Sequence, residues 1–330
     1  MNPSMAGEML LTDISTGKWD EDMCQLVGIR SDQLSPIQPS DAVIGPITQE
    51  TCRQTGLAQG TVLINGGQDH SCEALAVGMI TKGKAMLACG TAWVINSVIE
   101  DLAADSVPEM MNVNFHVLPD LWTISQFLGG LGAASEWWLN QCWQSTDPQT
   151  KISREALYSN FNKALADTSP GCNGLTFHPL SGSMQFSSGL DSGGFLGLRL
   201  AHSRADMSRA VMEGAAYELR WALEPIKNTG MVIDQLWMIG GAARSRIWTQ
   251  IVADVSGVQI SLSPYSHGPA LGAAILAGAG LGIHNTIDES RARFSVTAEH
   301  VHPQAKNLVV YETAFREYQQ LTKRLHQKRG

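Results

Sequence analysis

Three short β-rich segments of this sequence each end in a glycine turn. The turns are Gly66-Gly67-Gln68-Asp69, Gly90-Thr91 and Gly240-Gly241-Ala242. The first and third turns lead into helical patterns at residues 71–78 and 243–256, whereas the second joins two β-rich runs at residues 85–89 and 92–98. Strands that pass through a turn into a helix are typical of layered α/β domains with parallel pairing. The sequence therefore predicts an α/β layered fold with parallel pairing and a hairpin around Gly90.

The alternation of strands and helices continues through the second half of the chain. Further strands are predicted at residues 121–127 and 258–262, and a helix rich in small residues at 270–279. A long amphipathic helix is predicted over residues 207–226, with Asp206 as its N-cap.

Length and charge narrow the possible functions. The chain has 330 residues, which is enough for roughly two domains of about 100–200 residues each. It carries 31 acidic and 23 basic residues, a formal net charge of −8. A field of this sign repels polyanions, so nucleic-acid binding is disfavoured.

The sequence predicts a cytoplasmic protein without a membrane segment. Its first residues lack the basic and apolar regions of a secretion signal. The longest apolar run, at residues 268–283, is shorter than the ~20 residues that cross a bilayer. The six cysteines are scattered and form no C-x-x-C pair, which favours reduced thiols.

The glycine turns also indicate where a ligand binds. A turn at the carboxyl end of a strand exposes backbone N–H groups that can hold phosphate oxygens. Steric needs alone explain one such glycine, but three turns together suit a nucleotide. His300 and His302 have no other ligand type near them in the sequence, so no metal held by protein side chains is predicted.

Asp69 is the acid in the most informative position. It follows a strand and two glycines and precedes a helix with many small residues. A carboxylate placed there can act as a general base that accepts the proton of a substrate hydroxyl. The same residue type also caps helices, and the helix near Ser71 needs a cap. Both interpretations of Asp69 stay open from the residues alone.

The order of these motifs resembles that of the FGGY family of carbohydrate kinases, most closely its xylulokinase-like members. Residues 2–6, Asn-Pro-Ser-Met-Ala, resemble an interior stretch of the family's first domain. Residues 62–78 resemble the segment with the catalytic aspartate, and residues 85–94 resemble the hairpin called the second phosphate motif. Residues 239–248 are similar to the adenosine-binding strand, turn and helix, and residues 270–274 to the helix that follows. The resemblance covers essentially all 330 residues.

The resemblance implies an α/β fold of the actin-like, ribonuclease-H-like ATPase type. It divides the chain into residues 1–82, the remainder of an N-terminal domain, and residues 83–330, a complete nucleotide-binding C-terminal domain. It implies transfer of the γ-phosphoryl group of ATP, with Mg²⁺, to the hydroxyl of a pentulose or a related sugar or polyol, with Asp69 as general base. The ligand contacts that it assigns are Gly90 and Thr91 to the ATP phosphates, Gly240, Gly241, Ala242 and Ser245 to the adenosine, and Gln68 and His70 to the sugar.

The sequence departs from the family in its first part. Family members begin with a hairpin that carries an Asp-x-Gly-Thr turn, the first phosphate motif, and this turn is missing here. We therefore expect the chain to start inside the first domain and to hold half of the ATP clamp. Two alternatives stay open: a nucleotide-binding module of the same fold without kinase activity, and an actin-like or chaperone-like ATPase that switches partner binding. Apolar surface left by the missing part makes a homodimer a further expectation.

Overall fold

The structure is a computed structural model that describes residues 1–103, 107–144, 152–180, 183–185, 193–265, 267–294 and 298–327. Its strands are β1 (Thr12–Asp13), β2 (Lys18–Trp19), β3 (Val43–Pro46), β4 (Val62–Ile64), β5 (Lys84–Cys89), β6 (Trp93–Ile99), β7 (Asn112–Phe115), β8 (Trp122–Phe127), β9 (Thr176–His178), β10 (Gly194–Leu196), β11 (Gln235–Gly240), β12 (Gln259–Leu262) and β13 (Glu299–Val301). Its helices are α1 (Pro3–Glu8), α2 (Glu21–Leu26), α3 (Gln49–Thr55), α4 (Asp69–Ala76), α5 (Leu131–Cys142), α6 (Arg154–Ala166), α7 (Arg204–Asn228), α8 (Arg246–Ser256), α9 (Gly268–Gly280), α10 (Ile287–Ala292) and α11 (Ala305–Gln327).

A mixed sheet of seven strands forms the centre of the fold, in the order β13-β12-β11-β5-β6-β8-β7. The predicted hairpin is confirmed as β5 and β6, with Cys89 opposite Trp93. Parallel pairing is confirmed only for β12, β11 and β5, and the other neighbouring strands are antiparallel. The predicted parallel pairing is therefore confirmed for the strands from which it was inferred, β11 and β12. Short connections join β5 to β6 and β7 to β8, and a parallel pair needs a longer crossover.

Helices cover both faces of this sheet because the side chains of β5 alternate between them. Ala85 and Leu87 are buried in the large core that includes residues of α7 and α8. Met86 is buried on the other face, where it packs with Ala74 of α4 and Val98 of β6. Burial on both faces explains why β5 is apolar along most of its length.

Helix α7 starts earlier than the sequence predicted. The prediction that Asp206 is its N-cap is wrong, since Ser203 holds that position and its Oγ accepts a hydrogen bond from the backbone N–H of Asp206 at 3.2 Å. The Asp206 carboxylate accepts in turn from the backbone N–H of Ser203 at 2.8 Å. The two residues form a capping box, in which the second residue lies inside the helix.

Two buried glutamates connect α7 to α11. Glu213 forms an ion pair with Arg209 at 2.7 Å and accepts a hydrogen bond from the Tyr311 hydroxyl at 2.7 Å. Glu218 accepts from the Tyr318 hydroxyl at 2.5 Å. Burial penalises the charged form of Glu218 and raises its pKa to about 7. Both acids are paired inside the protein, which makes them structural groups.

Helices α4 and α9 touch through their backbones. A Cβ atom at Gly272 would lie 1.9 Å from the carbonyl oxygen of Cys72. A Cβ atom at Gly268 would lie 2.5 Å from Oε1 of Glu73. Residues without a side chain are needed at such close approaches. Helix α9 therefore packs against the middle of α4, the helix that begins with Asp69, at backbone distance.

Within the described ranges, no helix has both the length and the apolar character needed to cross a bilayer. All six cysteines lie within the described residues and are free thiols, at positions 24, 52, 72, 89, 142 and 172.

Candidate active site

The turn that carries Asp69 connects β4 to α4. Gln68 is the N-cap of α4, and its side-chain oxygen accepts a hydrogen bond from the backbone N–H of Ser71 at 3.0 Å. The interpretation of Asp69 as the cap is therefore wrong. Asp69 is exposed, and its Oδ1 accepts from the backbone N–H of His70 at 2.8 Å. Its carboxylate can be reached from solvent, and the half-buried Gln68 and His70 flank it.

Glu73 lies one helical turn after Asp69, and sequence reasoning missed it. Burial, and to a smaller extent the charge of Asp69, raises the pKa of Glu73 to about 7. Its burial comes from α9, where Gly268 leaves room for the carboxylate. The four-residue spacing of two acids on one helix face was the available signal, since such residues are neighbours.

Two of the glycine turns lie side by side at the carboxyl edge of β5 and β11. In the parallel register Cys89 lies opposite Gly240, and the Gly241 N–H donates to the Cys89 carbonyl at 3.1 Å. Gly240 has a φ of +93°, and a Cβ there would lie 2.7 Å from the same oxygen. Glycine is therefore required at this position by conformation and by space. The pairing brings the Gly90-Thr91 turn next to the turn that follows β11.

The N-terminus of α5 packs against the Gly90-Thr91 turn. The Ala133 N–H donates to the Thr91 carbonyl at 2.9 Å. A Cβ at Gly132 would lie 1.9 Å from the Gly90 oxygen and 3.1 Å from the Thr91 oxygen. Sequence reasoning gave Gly132 no role, and its position near the start of a helix after a strand was the only local signal. The glycine permits α5 to support the turn at backbone distance.

The segment after β11 holds the remaining predicted nucleotide contacts. Ser245 caps α8: its Oγ accepts from the Trp248 N–H at 3.3 Å and donates to Asn162 Oδ1 at 3.1 Å. Ala242 is buried in a short 3-10 turn before it. The ring of Trp248 lies 5.3 Å from that of Trp93, which follows the second glycine turn. The contact between these two indole rings connects the segments that follow the two turns. The adenosine contacts of Ala242 and Ser245 stay predictions.

The edge formed by the two turns suits a ligand held by backbone groups. Gly90 and Thr91 are exposed. A Cβ at Gly241 would meet no atom of the described residues closer than 3.9 Å, so this side of the turn is open. The described part of the chain has no group of three or more His, Cys, Asp or Glu residues that could hold a metal ion. Backbone N–H groups in turns of this kind bind anionic oxygens.

Family models match most of the chain. The model of the C-terminal domain of the FGGY family of carbohydrate kinases matches residues 85–281, and the model of the N-terminal domain of the same family matches residues 1–76. The C-terminal match alone covers more than half of the chain.

Individual relatives are longer than this chain. Xylulose kinase of Staphylococcus epidermidis strain RP62A is 30% identical over 329 residues, which are 99% of this chain and 64% of that enzyme. Autoinducer-2 kinase of Salmonella typhimurium strain LT2 is 28% identical over 327 residues, 97% of this chain and 61% of that enzyme. The crystal structure of xylulose kinase from Rhodospirillum rubrum has a TM-score of 0.86 and 26% identity, and the match covers 99% of this chain and 64% of that one. The chain thus spans less than two thirds of the length of these relatives.

Proposed function

Because this chain belongs to the FGGY family of carbohydrate kinases, we propose that it acts in the ATP-dependent phosphorylation of a sugar hydroxyl. The observation that carries the proposal is the pairing of two glycine turns at one edge of the sheet. The hydrogen bond from the Gly241 N–H to the Cys89 carbonyl joins them. Backbone N–H groups of such turns can hold the phosphates of ATP. The domain boundary is proposed after residue 82, between the segments that the two family models match.

We infer that the two turns bind different parts of the nucleotide. Gly90 and Thr91 contact the phosphates, and the segment after β11 borders the adenosine with Gly240, Gly241, Ala242 and Ser245. A divalent ion such as Mg²⁺, bound to the phosphates, would neutralise charge during transfer. Phosphoryl transfer requires little covalent chemistry from the protein, so these residues act by positioning the ligands and by stabilising charge.

Asp69 is the proposed general base. Its exposed carboxylate accepts the proton of the sugar hydroxyl as that oxygen attacks phosphorus. Next to it, Nδ1 of His70 is buried and has no hydrogen-bond partner in the described part of the chain. A sugar hydroxyl would satisfy this nitrogen, which supports His70, together with Gln68, as a sugar contact.

The proposed substrate is a pentulose such as xylulose, or a related sugar or polyol. Relatives named xylulose kinase support the pentulose. A second candidate is a nucleotide-binding module without kinase activity. The paired glycine turns support it, because they can hold a nucleotide whether or not phosphate is transferred.

Calorimetric titration with Mg²⁺ and ATP, with and without D-xylulose, and an assay of ADP release test the proposal. Release of ADP that depends on the sugar supports the kinase, whereas binding without release supports the second candidate. Asp69→Asn should lower turnover by about 10²-fold or more and leave nucleotide affinity nearly unchanged. Asp22→Asn is the control, because Asp22 is also exposed in the first turn of a helix. Equal turnover in the two variants would remove Asp69 from the mechanism.

A cytoplasmic location is part of the proposal, and the free cysteines support a reducing compartment. Homodimer formation also stays a prediction. Exposed apolar side chains such as Leu10, Leu26 and Leu63 support it, and light scattering after gel filtration measures it.

A further inference from the structure

A buried serine holds the turn before Asp69. Ser4 in α1 is 0% exposed, and its Oγ accepts a hydrogen bond from the backbone N–H of Gln68 at 2.9 Å. The same Oγ donates to Oδ1 of Asn2 at 2.9 Å. Asn2 is the N-cap of α1, since its Oδ1 also accepts from the Met5 N–H at 2.9 Å. Asn2 therefore takes the hydroxyl proton of Ser4, which leaves an oxygen lone pair for Gln68.

Helix α1 is anchored to the central sheet. Nδ2 of Asn114, in β7, donates to the Ser4 carbonyl at 3.0 Å and to the Glu8 carboxylate at 2.8 Å. A Cβ at Gly7 would lie 2.0 Å from Oδ1 of Asn114, so α1 lies directly on β7. Strand β7 belongs to the C-terminal family match, whereas Ser4 and Asp69 belong to the N-terminal match. Ser4 thus connects the Asp69 turn to the sheet that carries the two nucleotide turns.

The surroundings leave the turn little room to move. A Cβ at Gly67 would lie 2.3 Å from Cγ1 of Val117 and 3.6 Å from Oγ of Ser4. The Gly66 N–H donates to the Ser40 carbonyl at 2.8 Å. Loss of the Ser4 hydroxyl would leave the Gln68 N–H without a partner, and such groups destabilise the conformation that buries them.

We propose that Ser4 is a positioning residue for Asp69. Its hydroxyl fixes the backbone of Gln68 and so the direction in which the next residue, Asp69, leaves the turn. The effect on phosphoryl transfer rests on the proposed function, while the effect on the turn does not.

Amide hydrogen exchange measures the turn without any need for activity. Ser4→Ala should speed exchange in the peptide that covers residues 65–71 by about 10-fold, because one hydrogen bond is lost. Ser290→Ala is the matched control, since Ser290 is also 0% exposed and donates a hydrogen bond to the Ile275 carbonyl at 2.9 Å. The control should leave exchange in residues 65–71 unchanged. Equal protection of this peptide in Ser4→Ala and the unmodified protein would overturn the proposal.

Kinetics separate positioning from a general loss of structure. Where the unmodified chain transfers phosphate, Ser4→Ala should lower kcat by about 10-fold with KM for ATP unchanged. A raised KM with unchanged kcat would overturn the positioning role. If Ser4→Ala does not fold, Ser4→Cys keeps an atom in place of Oγ, weakens the hydrogen bond, and should show the same faster exchange. A chain without transfer activity counts against the proposed function, and the exchange result still decides the role of Ser4.

Discussion

Replacing Gly132 by alanine tests whether the phosphate turn requires the close approach of α5. The new Cβ would lie 1.9 Å from the Gly90 carbonyl oxygen, and contacts of this kind are essentially never shorter than 3.0 Å. The partner is a backbone atom, so no side-chain rotation relieves the clash. Alanine gains up to about 1 kcal/mol over glycine in helix propensity. Overpacking costs about 1–3 kcal/mol, and at a backbone contact we expect the upper part of that range, a net loss of about 1–2 kcal/mol.

Gly130→Ala is the matched control. Gly130 has a φ of −80°, and a Cβ there would make an ordinary contact of 3.7 Å with Cβ of Ala133. Gly130 is the N-cap of α5, where alanine is less favourable than glycine, so Gly130→Ala should lose about 0.5 kcal/mol without any steric clash. Gly132→Ala should therefore lower the free energy of unfolding more than Gly130→Ala does. Urea unfolding followed by tryptophan fluorescence measures both.

Titration with Mg²⁺ and ATP extends the test to the ligand. A displaced Gly90-Thr91 turn should bind ATP about 10-fold more weakly in Gly132→Ala, with no change in Gly130→Ala. The reasoning is refuted if Gly132→Ala unfolds at the same urea concentration as Gly130→Ala with equal m-values.

Three further substitutions give testable predictions, and the first two separate effects on stability from effects on ATP binding. Gly240→Ala should lose about 1–2 kcal/mol of stability, because its φ is +93°. Gly241→Ala should keep its stability and lower only ATP affinity, so equal unfolding of the two variants would contradict the assignment. Glu218→Gln should reduce the loss of stability between about pH 5 and about pH 8. The pKa of Glu218 is raised from 4.5 to about 7, so this residue makes the unmodified protein lose stability as pH rises through that window, by about 3 kcal/mol at most, while Glu73 contributes equally in both proteins. Urea unfolding at about pH 5 and about pH 8 measures this loss, and the same loss in Glu218→Gln would contradict it.

The fold could be predicted where the local pattern and the tertiary pairing agree. Glycine between two β-rich runs marked the β5–β6 hairpin, and strands alternating with helices marked the parallel neighbours β11 and β12. The family assignment confirms the expected actin-like, ribonuclease-H-like ATPase fold. The start of α7 was misplaced because Ser203 and Asp206 are both good caps, and a capping box uses both.

The features that were missed depend on residues far apart in the chain. Strand β7 has only four residues and is stabilised by its pairing with β8. The spacing of Asp69 and Glu73 was visible in the sequence, but the burial of Glu73 depends on Gly268, and the hydrogen bond of Ser4 depends on Gln68, so neither contact could be read locally. The prediction of Asp69 as base or cap could not be decided from sequence, because the cap was its neighbour Gln68.

The backbone contact between α4 and α9 also determines how motion spreads. Side chains that touch can absorb a small displacement by changing rotamer, but Gly272 and the Cys72 carbonyl have no such freedom. A displacement of α9 toward α4 must therefore be taken up by the backbone of α4 and not by side-chain rotamers. Asp69 is the first residue of α4, so its backbone moves whenever α4 is displaced as a whole.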